Sequence, residues 1–376
     1  MYHTTSKSAR RFAILLALTA AITFGNLRGS DRVKAAEKDR FFVYVSISGE
    51  KRIAIYSMNP KDGSLKPAGN VELAGAPGSL GVGPKQRFLY ASVRSTGSAT
   101  TLQIDPQTGG LKKVADTPLI TNAVYVVPDK TGRHLLTAYY GGAKAAVFPI
   151  GKNGHVGPDA TSIEETDKNP HSIQASLSNK FVFVPNTGAD KILQFRFDAE
   201  SGKLTPNDPP FISTAKGTGP RHFTFHPNGK YVYFVNEKGS SVSAFSLDQE
   251  QGTLSAIHTL STLPKGFDGG NSCADIHITP DGRFLYGSNR GHDSLAGYRI
   301  DPKTGRMTSL GQTPTEKTPR EFEIDPTGRY VYSAGQGSGR MISYRLDSKT
   351  GKLQPLKTYD VGKSPAWVTV LRFPGK

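Results

Sequence analysis

Several ionisable residues lie in short polar motifs from residue 171 onwards. The segment from Gly219 to Glu237 contains the pair Arg221-His222 and ends on Glu237. Related motifs supply the other candidates, which are His171, Asp275, His277, Asn289, Arg290, Arg320, Gln336 and Trp367. Carboxylates and imidazoles can transfer protons, and guanidinium groups can neutralise negative charge. This mixture indicates acid–base chemistry on an anionic substrate.

The same residues also have structural interpretations, which the sequence leaves open. Glu237 could form an ion pair with Arg221 or Arg290, and the two arginines could connect neighbouring elements. Asp275 and His277 could form a polar network that only supports the fold. His171 and His222 could be buried residues whose hydrogen bonds are satisfied within the fold. A site is favoured only if the fold brings these residues to one place.

Two sequence markers recur seven times and predict the elements that carry these residues. A short aromatic or aliphatic strand recurs every 46 to 53 residues, centred on Tyr44, Tyr90, Leu136, Phe183, Tyr233, Tyr286 and Tyr332. A turn that contains glycine and precedes another strand keeps the same phase, at Gly63, Gly109, Gly154, Gly202, Gly252, Gly305 and Gly351. A period of this length with about four short strands per unit is typical of a β-propeller.

The repeat therefore predicts an all-β, seven-bladed β-propeller with four-stranded blades, forming a single domain over residues 40–376. The chain begins at the second strand of a unit, and an extra first strand, starting at Pro365, follows the last complete unit. We expect this C-terminal strand to complete the N-terminal blade, which leaves no open sheet edge.

The predicted topology also indicates where the polar residues meet. The first strand of each blade lines the central channel, and the second runs antiparallel to it. The start of the first strand and the end of the second therefore lie at one rim. Blades four to seven place charged residues there, whereas blades two and three offer only Gly78-Ser79 and Ala123-Val124. This asymmetry favours a functional site at the rim over charged residues that are merely exposed to solvent.

Composition and charge narrow the class of partner. The formal net charge is +16, but residues 1–35 contribute +5 of it, and the other basic residues are scattered among turns. A nucleic-acid surface normally shows a basic patch or stripe, so we expect no nucleic-acid partner. A single cysteine, Cys273, excludes an internal disulfide, and no metal-binding motif is present. We expect no metal or cofactor, an anionic small-molecule partner, and a monomer or weak dimer.

The first 35 residues have the pattern of a signal peptide. Arg10 and Arg11 precede an apolar run from Phe12 to Phe24, which is too short to span a bilayer comfortably. Ala35-Ala36 follows in a small-residue context suited to cleavage. A membrane-anchored N-terminus is the alternative. We expect an exported protein, periplasmic or extracellular, with no stable membrane insertion after removal of the signal.

The motifs Gly219-Pro-Arg-His, Val235-Asn-Glu237, Ala274-Asp-Ile-His277, Ser288-Asn-Arg290 and Ser364-Pro-Ala-Trp367 resemble those of a known family. The chain resembles the seven-bladed propeller lactonases typified by 6-phosphogluconolactonase, which are related to the fungal carboxy-muconate lactonizing enzyme. The resemblance implies a catalytic set of His171, Arg221, Glu237 and Arg290. The rim analysis adds substrate-binding candidates, which are His222, Asp275, His277, Asn289, Arg320, Gln336 and Trp367.

The resemblance implies metal-independent hydrolysis of a sugar or carboxylated lactone. In this hypothesis Glu237 is the general base, His171 is the acid or its orienting partner, and arginines bind the anionic group and the oxyanion. Two other functions stay open. One is a cycloisomerase that forms a lactone by proton transfer. The other is an exported propeller that binds a partner without catalysis, because fold does not determine function.

Overall fold

The computed structural model describes residue 1 and residues 39–375. The predicted signal peptide, apart from its first residue, therefore lies outside the described residues. Within the described residues the chain forms 28 β-strands in seven four-stranded sheets, with one short 3-10 helix at Ser48–Glu50. None of the helices there is long and apolar enough to cross a membrane.

The blades are numbered along the chain, and their strands run from the centre outwards. Blade 1 consists of β28 (Pro365–Phe373), β1 (Arg40–Ile47), β2 (Arg52–Met58) and β3 (Leu65–Glu72). Blade 2 consists of β4 (Pro77–Val82), β5 (Phe88–Val93), β6 (Ser98–Ile104) and β7 (Leu111–Pro118). Blade 3 consists of β8 (Tyr125–Pro128), β9 (His134–Tyr139), β10 (Lys144–Pro149) and β11 (Ser162–Glu165). Blade 4 consists of β12 (Gln174–Ala175), β13 (Phe181–Asn186), β14 (Lys191–Asp198) and β15 (Lys203–Ser213).

The remaining three blades follow the same order. Blade 5 consists of β16 (Pro220–Phe225), β17 (Tyr231–Asn236), β18 (Ser241–Leu247) and β19 (Leu254–Ser261). Blade 6 consists of β20 (Cys273–Ile278), β21 (Phe284–Asn289), β22 (Ser294–Ile300) and β23 (Met307–Pro314). Blade 7 consists of β24 (Pro319–Ile324), β25 (Tyr330–Gly335), β26 (Arg340–Leu346) and β27 (Leu353–Asp360). The seven-bladed propeller predicted from the repeat is confirmed.

Ring closure uses the C-terminal strand as predicted. Strand β28 pairs antiparallel with β1 from Arg40 opposite Phe373 to Ser46 opposite Trp367. Both ends of the described chain are therefore hydrogen-bonded into blade 1. This pairing leaves no open sheet edge at the join.

The two sequence markers contact each other across every boundary between blades. The turn glycine of each blade lies in the left-handed region and packs against an aromatic ring of the preceding blade, such as Gly252 on Phe181. In five of the seven boundaries the marker tyrosine also donates a hydrogen bond to that glycine's carbonyl oxygen, as Tyr233 does to Gly305 over 3.0 Å. The repeat seen in the sequence is thus a repeated contact between blades.

Seven buried apolar clusters fill the spaces between neighbouring blades. Side chains alternate along the inner strands, and Phe223 and Phe225 pack together against Phe183 of blade 4. Phe322 and Ile324 of blade 7 likewise lie in one cluster with residues of blade 6. The apolar face of each inner strand therefore packs between blades, and the polar side chains of the opposite face point into the channel.

Inner strands carry an irregularity just after the residue that opens them. In β16 the register passes from Pro220 opposite Asn236 to Phe223 opposite Phe234, so two residues face one. The register shifts at the corresponding place in β4, β20, β24 and β28. A β-bulge redirects side chains, and bulges are common next to functional sites.

Candidate active site

The bulged ends of the inner strands surround a cavity of about 120 Å³ at one rim of the channel. Its lining includes consecutive residues from single strands, namely Arg221-His222, Arg320-Glu321 and Ala366-Trp367. In a regular strand such neighbours would point to opposite faces. The bulges explain how both members of each pair reach the cavity. The uncharged Gly78 and Ser79 of blade 2 complete the opposite wall.

Arg221, Glu237 and Arg290 form one ionic cluster at the junction of blades 5 and 6. The Nη2 atom of Arg290 donates to Oε1 of Glu237 over 2.7 Å, and Nε of Arg221 lies 3.4 Å from Oε2. Arg290 also donates to the carbonyl oxygen of Cys273, while Arg221 donates to that of Ala274. The contact of Arg221 crosses from blade 5 to blade 6, whereas that of Arg290 lies within blade 6, and together they fix both guanidinium groups.

The charges of this cluster stabilise one another. Burial opposes ionisation of Glu237, but the guanidinium groups of Arg221 and Arg290 outweigh it and lower the pKa of the carboxyl. Arg221 is only 1% exposed, and burial together with the charges of Arg320 and Arg290 lowers its pKa. An arginine stays protonated at neutral pH even so. The cluster therefore carries a net positive charge.

A second set of ionisable side chains forms a chain of close contacts. Nδ1 of His222 lies 2.9 Å from Oδ1 of Asp275, and Nε2 of His277 lies 2.8 Å from its Oδ2. On its other side, Nδ1 of His277 lies 3.1 Å from Oε1 of Glu323. This chain links blades 5, 6 and 7 around the channel.

Three residues of this chain have shifted pKa values, and the favoured charge differs from one to the next. Burial opposes charge on Asp275, yet His277 and the hydrogen bond from His222 hold the pKa of its carboxyl far below the ordinary value. Burial likewise opposes charge on His277, but Asp275 and Glu323 raise its pKa well above the usual value. His222 differs, because burial and the nearby Arg221 lower its pKa to about 4. At neutral pH, His222 is neutral between charged neighbours.

Glu321 is a buried carboxyl group beside this chain. Burial and the negative charge of Asp275 raise its pKa well above the ordinary value, which favours the protonated form. Ligand atoms of His222, Asp275 and Glu321 lie within 4.8 Å of one another, which by spacing alone would admit a cation. The raised pKa of Glu321 and the guanidinium of Arg221 both disfavour a cation there.

Buried polar atoms that lack a hydrogen-bond partner concentrate in this region. Among the described residues fifteen such side-chain atoms occur, and six belong to the site. These six are Nδ1 of His171, Nε of Arg221, Nε2 of His222, Oε2 of Glu237, Nε2 of His277 and Oε1 of Glu321. The ion pairs Arg221–Glu237 and His277–Asp275 already place an opposite charge beside three of them. The atoms with no ion-pair contact either are Nδ1 of His171, Nε2 of His222 and Oε1 of Glu321. Folded proteins normally satisfy buried polar atoms, so the concentration marks a place where a ligand or water supplies the partner.

Comparison with known proteins identifies the family. A family model described as lactonase, 7-bladed beta-propeller, matches residues 27–128 and 120–370. The chain belongs to this family. It is 36% identical over 329 residues to the 6-phosphogluconolactonases of Serratia proteamaculans and of Pectobacterium carotovorum. Each alignment covers 88% of this chain and 98% of the relative.

Solved structures of the lactonase family share the fold. The periplasmic gluconolactonase of Pseudomonas aeruginosa superposes with a TM-score of 0.83 at 28% identity, covering 89% of this chain and 100% of that one. A putative 6-phosphogluconolactonase of Bacteroides fragilis superposes with a TM-score of 0.81 at 25% identity, covering 89% and 99%.

Of the remaining predicted site residues in this lactonase-family chain, four line the cavity and Asn289 does not. His171, Arg320, Gln336 and Trp367 line the cavity as expected, and burial together with Arg221 holds the pKa of His171 well below its ordinary value. Asn289 is different. Its amide donates to the carbonyl oxygen of Thr262 and to Ser294, and its oxygen accepts from Asn271. These bonds place Asn289 in the packing within blade 6 and away from the cavity lining.

Sequence reasoning did not select Glu321, Glu323 or Arg94 as site residues. In a regular strand only one residue of a neighbouring pair such as Arg320-Glu321 would face the channel. The bulge brings both into the cavity, together with Arg94 from the end of β5. The sequence does carry a signal for Glu321, because a pair of polar residues recurs after the proline that opens the inner strand in several blades.

A larger cavity of about 390 Å³ lies on the opposite rim, between the turns of blades 2 and 3. Its lining includes Lys85, Arg133 and Lys152, and none of the site residues described above borders it. This cavity is larger than the one at the rim with the ionic clusters. The ionic clusters and the unpartnered buried atoms favour the smaller one.

Proposed function

We propose that this protein hydrolyses the ring ester of a sugar or carboxylated lactone that carries an anionic group. The observation that supports this best is a cavity lined by the guanidinium groups of Arg94, Arg221 and Arg320 beside buried polar atoms without partners. Guanidinium groups recognise carboxylate and phosphate well. The relatives named 6-phosphogluconolactonase support the same class of reaction.

In this proposal the arginines perform two tasks. Arg320 and Arg94 face the cavity from blades 7 and 2 and attract the anionic substituent of the substrate. Arg221 is fixed by Glu237 and by a backbone carbonyl, so its charge is already oriented before substrate binds. A preorganised charge stabilises the oxyanion that forms on the lactone carbonyl, and loss of one such donor typically costs about 10²–10³-fold in kcat.

The reaction needs no metal in this proposal, because guanidinium groups supply the positive charge that a Lewis acid would otherwise provide. The role of Glu237 as general base stays a prediction. Its two oxygens face arginines, and its lowered pKa makes the carboxylate a weak base. The geometry favours Glu237 as the residue that orients Arg221 and Arg290.

A pair of lactones differing only in charge tests the proposed substrate class. We expect the protein to hydrolyse 6-phosphoglucono-δ-lactone with a lower KM than glucono-δ-lactone. Arg320→Gln should raise KM at least about tenfold for the phosphorylated lactone, a loss of about 1.4 kcal/mol, and leave KM for the neutral lactone within about twofold. The measurement is the initial rate of acid release.

The matched control is Arg345→Gln, which removes an exposed arginine from the outer part of blade 7. It should leave both KM values unchanged. Equal effects of Arg320→Gln on both lactones would contradict recognition of an anionic group. Hydrolysis in ¹⁸O-water should label the product carboxylate, and an unlabelled product would support the cycloisomerase alternative.

We also propose that the protein is exported. The support is the basic and apolar sequence of residues 1–35, together with the periplasmic location named for the Pseudomonas aeruginosa relative. An exported enzyme would meet lactones outside the cytosol, so the phosphorylated lactone serves here as a probe of charge recognition. A carboxylated lactone provides the same test.

A further inference from the structure

The imidazole of His222 has a hydrogen-bond partner at one ring nitrogen and none at the other. His222 is 3% exposed and lines the cavity, and its Nδ1 atom lies 2.9 Å from Oδ1 of Asp275. Its Nε2 atom is buried and has no hydrogen-bond partner in the protein. A buried nitrogen without a partner, on a ring that borders a cavity, calls for a water molecule or a ligand.

Asp275 determines the tautomer of this histidine. Its carboxylate is ionised and lies between two imidazoles, with His277 2.8 Å from the other oxygen. A carboxylate can only accept hydrogen bonds, so the proton of neutral His222 lies on Nδ1 and the lone pair lies on Nε2. The main-chain N–H of Phe322 also approaches Asp275, at 3.4 Å. These contacts hold the carboxylate in place.

The other groups around His222 keep its ring neutral and oriented. The rings of Tyr125, His171 and Trp367 lie with their centroids 5.4, 5.1 and 5.8 Å from that of His222. The charged or titratable groups near it are Arg221 on its own strand, Asp275 on β20, and Arg320 and Glu321 on β24. Burial and the arginines favour the neutral imidazole, which is the form that accepts a proton.

We propose that His222 is the general base of the lactone hydrolysis, and that Asp275 is the positioning residue that fixes its ring and tautomer. His277, paired with Asp275 and Glu323, keeps Asp275 ionised. This inference rests on the proposed function and changes the identity of the base. Glu237 is less suited, because both of its oxygens face guanidinium groups and it does not border the cavity.

The proposed step is the attack of a water molecule on the lactone carbonyl carbon, with His222 accepting and later returning one proton. A water molecule at Nε2 gives its proton to His222 while its oxygen forms a bond to the lactone carbonyl carbon. Asp275 stabilises the imidazolium, and Arg221 stabilises the oxyanion. When the ring C–O bond breaks, the imidazolium returns the proton to the departing oxygen, which becomes a hydroxyl group. The carboxylic acid product then releases its own proton to solvent.

Replacing His222 by glutamine tests the assignment. We expect His222→Gln to lower kcat by about 10²–10⁴-fold, the usual contribution of a positioned base, with KM within a few-fold of wild type. His226→Gln is the matched control, since His226 is also buried but lies in the turn after β16, outside the cavity. Its kcat should stay within about twofold. A His222→Gln enzyme with wild-type kcat would overturn the proposal.

Asp275→Asn and the pH profile provide a second test if His222→Gln does not fold. In the wild type, kcat/KM should fall below about pH 5 as His222 takes up a proton, consistent with a pKa of about 4. Asp275→Asn removes the anion that favours the imidazolium, so this fall should move to lower pH while kcat drops by about 10²–10⁴-fold. An unshifted profile with unchanged kcat would mean that Asp275 has no such role.

Three outcomes separate this inference from its alternatives. Loss of activity on dialysis against EDTA, with recovery on adding Zn²⁺, would make the group around His222 a metal site and overturn the base assignment. A wild-type protein inactive on every lactone would defeat the proposed function itself. An active wild type with an equally active His222→Gln variant would defeat only the inference drawn from His222.

Discussion

The carboxylate of Glu237 is shared between guanidinium groups of blades 5 and 6, and this sharing governs its protonation. Because Arg221 and Arg290 lower its pKa, the folded state favours the ionised form. The resulting stabilisation is fully present above the ordinary pKa of about 4.5 and is lost as pH falls through the lowered pKa of the folded protein. Removing the carboxylate of Glu237 would leave the buried Arg221 and the partly buried Arg290 without the anion that pairs with both.

Glu237→Gln should therefore reduce both stability and activity. We expect the free energy of unfolding to fall by about 1–3 kcal/mol at pH 7, because a largely buried ion pair is broken. The difference from wild type should shrink as the pH is lowered towards 3. We expect kcat/KM to fall by about 10²-fold, since Arg221 loses its orientation. Urea unfolding at several pH values and initial rates measure these effects.

Glu250→Gln is the matched control, because Glu250 is exposed in the turn between β18 and β19. It should change stability by less than about 0.5 kcal/mol. A Glu237→Gln protein as stable and active as this control would show that the ionic cluster is dispensable.

At the scale of single elements, β28 has two functions. It closes blade 1 by pairing with β1, and its bulge near Ala366 brings Trp367 into the cavity. Most of its side chains are buried, including Val368, Val370 and Phe373. Without it, β1 becomes an open inner edge with unpaired backbone groups that face an apolar surface.

A chain that ends at Ser364 should lose cooperative folding. We expect it to be aggregated or to show no sharp thermal transition by circular dichroism, because an inner strand and its buried contacts are missing. A chain that ends at Phe373 lacks only the last three residues and serves as the control, with a melting temperature within a few degrees of wild type. A soluble monomer ending at Ser364 with the wild-type melting temperature would contradict the closure role.

For the whole molecule, the ring closes beside the point where the predicted signal peptide would be removed. Strand β1 begins at Arg40, and Asp39 accepts a hydrogen bond of 2.6 Å from Nε of Arg372 on β28. Cleavage at Ala35-Ala36 would leave this contact and all 28 strands intact. The mature chain would then carry the complete propeller.

We expect the protein in fractionated cells to begin near Ala36 and to be found outside the cytoplasm. A recombinant chain of residues 36–376 should fold with full lactonase activity, because no described strand is removed. N-terminal sequencing of the exported protein and activity of the shortened chain check this. A protein that keeps Met1 and fractionates with the cytosol would contradict export.

The sequence by itself determined the number of blades, the closing strand and the rim at which polar residues gather. These features follow from local patterns, namely strand alternation and glycine turns that repeat in phase. The markers reveal the period because they contact each other at each blade boundary, as Tyr332 and Gly63 do where the ring closes. The ionic cluster of Arg221, Glu237 and Arg290 was within reach of the same reasoning, since each residue ends or begins a strand at that rim.

Only the tertiary structure decided which polar residues reach the cavity and which protons they hold. Bulges bring Glu321 in beside Arg320, whereas Asn289 is used up in bonds within its own blade. The neutral state of His222 depends on burial and on charges from other blades. Side-chain direction at a bulge and the affinity of a buried group for a proton depend on residues far apart in the chain, so no local pattern encodes them.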